Sequence, residues 1–177
     1  MFDTITGLPV HVLVVHAVVV LVPLMTLVTL AFTLRARWRS ALGWAVLGNA
    51  AAFGAAFASA ESGEALQGRL SGLTGDTVAA EHGDLGSSMP WFALALLVAS
   101  VIAYVLLGRS RQPWSSSETW DAPRSEKPTH SPGIVALATV LVLVTGGAAT
   151  VWTVRVGDSG ARAAWEDTIA NTKPAGR

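Results

Sequence analysis

The chain has no cysteine at all among its 177 residues. Disulfides, iron–sulfur ligation and thiol nucleophiles are therefore excluded. Charge is scarce as well: Asp, Glu, Lys and Arg make up 14% of the residues, against about 25% in an ordinary soluble domain. The twelve basic residues are balanced by twelve acidic ones, so no net positive field exists to hold nucleic-acid phosphates. Motifs for soluble-substrate catalysis are missing too. The sequence contains no Gly-rich phosphate loop, no His-Glu-x-x-His and no Ser nucleophile elbow. These absences leave little room for a soluble enzyme or a nucleic-acid binder.

Long hydrophobic runs are what the chain has in their place. Hydrophobic residues account for 51% of the sequence, and the mean hydropathy is +0.49. Crossing a hydrocarbon core of about 30 Å takes roughly 20 helical residues. Four runs meet that length: residues 8–34, 41–60, 91–108 and 133–154. The expected fold class is all-α, an integral membrane four-helix bundle. The first run has no positive n-region and is longer than a signal-peptide core, so it is expected to stay in the mature protein.

Orientation follows from the loop cations. Arg35, Arg37 and Arg39 fill the first connection, and Arg109, Arg111, Arg124 and Lys127 the third. The second connection holds Arg69 against Glu61, Glu64, Asp76, Glu81 and Asp84. This asymmetry predicts both termini outside (N-out/C-out), residues 61–88 extracytoplasmic and residues 112–132 a cytoplasmic linker. Trp114 and Trp120 of that linker are candidates to lie on the headgroups.

In lipid, helices associate through close packing of small residues. Ala45, Gly48, Ala52, Ala55, Ser59 and Ser62 form such a stripe on the second span, and Gly146, Gly147, Ala148 and Ala149 lie in the fourth. The expectation is that these two spans touch backbone to backbone. Asn49, the one amide in mid-membrane, is then expected to bond Thr145 or Thr150. The Gly157-Asp158-Ser159-Gly160 segment reads as the exit turn of the fourth span.

Candidate ligands gather toward one side. Counting about 1.5 Å per residue from the cytoplasmic boundaries places His16 at the outer boundary. His11, Glu61, Glu64 and His82 come out roughly 3–10 Å above it. Neutral imidazole is the commonest metal ligand, and two facing His can hold a haem iron. Two His with carboxylates suit a divalent metal. The expected cofactor is thus a haem or divalent metal, bound by His16, His82 and His11 with Glu61 and Glu64 as further metal ligands. His16 heads the set because it is an ionisable residue at a span. His11 and His16 lie about 140° apart round a helix, so they need a partner from another helix, and His82 is the obvious one. The competing reading is a structural polar cap, with Arg155 paired to Glu61 or Glu64. His130, in the linker, reads as solvated.

The opening Leu8-Pro9-x-His11, then Val15-His16 and Pro23-Leu24, together with the ending Val156-Gly157-Asp158-Ser159-Gly160-Ala161 and Trp165, resembles a bacterial membrane protein family catalogued as domain of unknown function 2231. Relatives tend to carry Pro after each of the two His, where this chain has Val12 and Ala17. The resemblance implies a four-span, multi-pass protein of the bacterial plasma (inner) membrane. It also implies a leaning toward redox chemistry, because some relatives are joined to Rieske domains. Two functions compete. One is an accessory, redox-associated subunit holding a haem or metal near the outer face. The other is a structural or assembly subunit of a larger membrane complex with no cofactor. The expected partners are the lipid bilayer and other membrane proteins or a second copy, with no nucleic acid. A small transporter ranks last, since Asn49 and a few Thr are the whole of any polar path.

Overall fold

In hydrocarbon, backbone N–H and C=O groups must be satisfied within the segment itself, so apolar runs of this length become helices. The computed structural model describes residues 4–5, 8–70, 77–108 and 130–172. Five α-helices follow in order: α1 (Val10–Leu34), α2 (Leu42–Leu70), α3 (Thr77–Ser87), α4 (Met89–Ala103) and α5 (Pro132–Asn171). A 3-10 turn at Ala36–Ala41 joins α1 to α2, and a π-helical turn at Tyr104–Gly108 ends α4. Two short strands, Thr4–Ile5 and Leu8–Pro9, pair antiparallel just before α1. Trp114 and Trp120 fall outside the described residues.

Among the described residues, four helical stretches are long and apolar enough to cross a membrane: Val10–Leu34, Ala36–Gly68, Ala80–Gly108 and Pro132–Trp165. The third is α3 and α4 in near-continuous succession. Large apolar side chains cover the outside as well as the core, unlike in a soluble bundle. Leu27 is 66% exposed on the outside of α1, while Asn49 is 1% exposed inside. Thr26, Thr29, Thr33 and Ser100 are buried as well. Apolar groups turned outward and small polar groups turned inward suit a lipid solvent.

The buried threonine hydroxyls of α1 are satisfied by their own helix. Thr26, Thr29 and Thr33 donate to the carbonyls of Val22, Met25 and Thr29 at 2.9, 2.6 and 2.8 Å. This back-bonding lets hydroxyls enter a dry interior without an outside partner.

Neighbour order differs from the expectation. α1 and α4 each pack against both α2 and α5, so α2 and α5 sit across the diagonal. The glycines meet large side chains instead of each other. Gly48 of α2 receives Met25 of α1, and Gly146 of α5 receives Thr26 of α1. Small opposite large fills space better than small opposite small, which would leave voids once the backbones touch. Asn49 accordingly bonds neither Thr145 nor Thr150. Its amide donates to Thr29 Oγ1 and to Ala45 O, both at 2.9 Å. Its Oδ1 is buried with no partner.

The segment read as an exit turn is helical. α5 runs 40 residues without a break, a length of about 60 Å, and so extends well past a 30 Å hydrocarbon core. Gly157 and Gly160 lie inside it, where glycine lowers helix propensity by about 1 kcal/mol without ending the helix when packing supports it. α3 supplies that support, packing against both α5 and α2.

Candidate functional site

α3, in near-continuous succession with α4, packs against α2 and α5, and its seat is made by specific contacts. Trp152 of α5 donates its indole N–H to Ser88 Oγ at 2.8 Å and to Leu85 O at 3.1 Å. The same ring stacks on Phe92 with centroids 4.7 Å apart. Anchored in this way, α3 carries His82 to His11 at the start of α1. The two imidazoles meet edge to face, with centroids 6.0 Å apart and planes at 73°. Both are half-buried.

Each ring is oriented by a hydrogen bond that also assigns its tautomer. His11 Nδ1 lies 2.9 Å from the backbone carbonyl of Ser59 on α2. A carbonyl only accepts, so His11 carries its proton on Nδ1. His82 Nδ1 lies 3.1 Å from Ser159 Oγ. That hydroxyl donates its own hydrogen to Val156 O at 2.9 Å, so it accepts from His82, which is likewise protonated on Nδ1. In the neutral state both Nε2 atoms keep a free lone pair.

Two glycines make room for the rings. A Cβ at Gly63 of α2 would stand 3.0 Å from His11 Cε1, and one at Gly160 of α5 would stand 2.9 Å from His82 Cε1. Four helices thus contribute to one imidazole pair: α1 and α3 the rings, α2 and α5 the acceptors and the space.

The other candidate residues lie elsewhere. His16 is exposed on the outside of α1, and its Nδ1 donates to the carbonyl of Val12 at 2.6 Å. The 140° between His11 and His16 sends one ring inward and the other out. Glu61 and Glu64 are exposed, and among the described residues no group of three or more His, Cys, Asp or Glu could hold a metal ion. Arg155 pairs with neither carboxylate. Its guanidinium lies 6.0 Å from the centroid of Trp152, and Arg162 pairs with Asp158 at 3.0 Å on the same helix. His130 is half-buried, with Nδ1 3.4 Å from Arg39 Nη1. Ser59, Gly63, Trp152, Ser159 and Gly160 escaped the sequence reading as site residues. Small residues near span ends were the available signal, but they read as packing or turn residues.

The fold defines the class: a four-span helical membrane protein with a histidine pair at the end of the bundle where α1 begins. Residues 7–173 match the family described as predicted membrane protein (DUF2231), and the chain belongs to that family. No curated protein and no solved structure gives a match.

Proposed function

We propose that this membrane protein holds a metal ion between His11 and His82, as an accessory subunit of membrane redox chemistry. One observation carries the reading: both rings donate Nδ1–H to a fixed acceptor, which leaves the Nε2 lone pair of each unused, and the rings meet with centroids 6.0 Å apart. Metal-binding histidines characteristically donate their second nitrogen to a carbonyl or similar acceptor, which sets the tautomer and ring direction. Metal–nitrogen bonds of about 2 Å put two imidazole centroids on one ion roughly 5–6 Å apart, close to the separation here. Zinc and copper both suit imidazole ligands.

An ion fits these surroundings better than a haem. The Cε1 atoms of both rings take up the space that a Cβ would need at Gly63 and Gly160, which leaves little room for a macrocycle beside those helices. With two protein ligands, the remaining coordination positions stay open to water or to a group from a partner. The cation asymmetry of the loops supports placing this site on the extracytoplasmic side, with both termini outside.

The test is metal analysis and Zn²⁺ or Cu²⁺ titration of the purified full chain in detergent. One ion per chain is expected, with binding lost in His11→Ala and in His82→Ala and retained in His16→Ala. Metal-free protein that does not take up either ion, or binding indifferent to His11 and His82, overturns the proposal. It would favour the structural cap, for which the lack of a third ligand among the described residues is the specific support.

A further inference from the structure

At the opposite end of the bundle a cleft of about 530 Å³ opens between the end of α1 and the start of α5. Leu34, Val135, Ala136 and Val140 supply apolar walls, and Arg39 and His130 stand at its polar end. We propose that this cleft binds one anionic glycerophospholipid, its headgroup phosphate on Arg39 and an acyl chain along the apolar wall.

Three observations converge on that occupant. First, the cleft belongs to the lipid-facing surface: Leu34 is 58% and Val140 54% exposed. An apolar wall there meets acyl chains and would not recruit a polar solute from water.

Second, Arg39 is a buried cation, 8% exposed. It donates Nε–H to Thr33 O at 3.1 Å and Nη1–H to His130 Nδ1 at 3.4 Å. Among the described residues no carboxylate pairs with it. A guanidinium carries five N–H donors in a fork that matches phosphate oxygens. A buried charge left without a counter-charge is costly, and a lipid phosphate supplies one.

Third, the adjoining turn has the composition of a membrane interface. Arg35 and Arg37 flank the Trp38 ring at 4.4 and 5.2 Å from its centroid, and Phe32 meets that ring edge-on at 6.2 Å. Aromatic rings with arginines sit at headgroup level, and basic clefts between spans suit anionic headgroups. The turn therefore holds Arg39 at phosphate depth.

The experiment is native mass spectrometry of the full chain released from bilayer discs of equal phosphatidylglycerol and phosphatidylcholine. The native chain is expected to retain about one phosphatidylglycerol in preference to phosphatidylcholine. Arg39→Gln should weaken retention about tenfold, the order expected for a hydrogen bond to a charged group. Ala136→Phe, which fills the cleft and keeps the cation, should weaken it as well. Arg37→Gln should change it by less than about twofold. Equal retention of the two lipids by the native chain overturns the proposal, as does unchanged retention in Ala136→Phe. If Arg39→Gln does not fold, those two comparisons decide the matter.

Discussion

The two ends of this bundle use polar side chains in opposite ways. Where α1 begins, two histidines lie against each other and are closed in by four helices, each ring bonded to a neighbour across a helix boundary. Where α1 ends, an arginine is buried in the protein while an open apolar cleft leads from it to the bilayer. The first end is organised around lone pairs and excludes bulk. The second is organised around donors and leaves space. A neutral imidazole can be packed without a counter-charge, whereas a guanidinium cannot lose its proton and needs an anion. That chemical difference makes the closed end suited to a small cation and the open end to a phosphate ester.

The largest effect expected to break this contrast is acidification. Protons compete with a metal ion for imidazole nitrogen, so metal binding should be weaker at about pH 5 than at about pH 7.5. Arginine keeps its charge over that range, so phosphatidylglycerol retention should remain. Parallel zinc titrations and lipid mass spectrometry at the two pH values check both halves. Metal binding undiminished at the acidic value would remove the distinction.

Gly160→Val probes the close fit of the first end. A side chain there meets the His82 ring, and displacing an oriented ligand should cost 10- to 100-fold in metal affinity, about the effect of losing a second-sphere contact. The same substitution at Gly157, where a Cβ meets nothing within 4 Å, should leave affinity unchanged in the same titration.

A smaller effect is expected midway between the ends. Thr29→Val removes the acceptor of Asn49 Nδ2 and should lower stability by about 0.6–1.7 kcal/mol, the range for interhelical hydrogen bonds in membranes. Equilibrium unfolding in mixed micelles measures this. Neither metal nor lipid binding should change, because Thr29 belongs to neither site.

The four spans were legible because the criterion is local. A run such as Ala41–Ala60, with no charge, can only satisfy its backbone in hydrocarbon as a helix. Glu61 and Glu64, expected as further metal ligands, lie off the small-residue stripe and are exposed instead. Neighbour order was not legible in the same way. Matching glycine with glycine suggested α2 against α5, but Met25 and Thr26 of α1 occupy those notches. Shape complementarity is a property of two surfaces, and one sequence does not say which surfaces meet. The same error misdirected Asn49 toward Thr145 and Thr150 instead of Thr29.

Histidine ranking exposes the limit most clearly. His16 stood first because it lies at the edge of a span, yet an ionisable residue there can face lipid and bond to its own backbone, as this one does through Val12. His82 was the expected partner, on the connection between the second and third spans. Its place depends on Trp152 fixing the α3–α4 junction, a contact between residues 64 positions apart.

By itself, then, the sequence determined that the chain has four helical runs long and apolar enough to cross a membrane, and that His11, His16, Glu61 and Glu64 lie at the span ends away from Arg35, Arg37 and Arg39. Those properties follow from length, hydropathy and charge order, which are summed along the chain. Only the tertiary structure decided that His82 meets His11 while His16 faces out, that glycines on α2 and α5 admit the two rings, and that Arg39 ends a cleft. These depend on which helix faces lie against each other, and that is settled by how side chains of unequal size fill shared space.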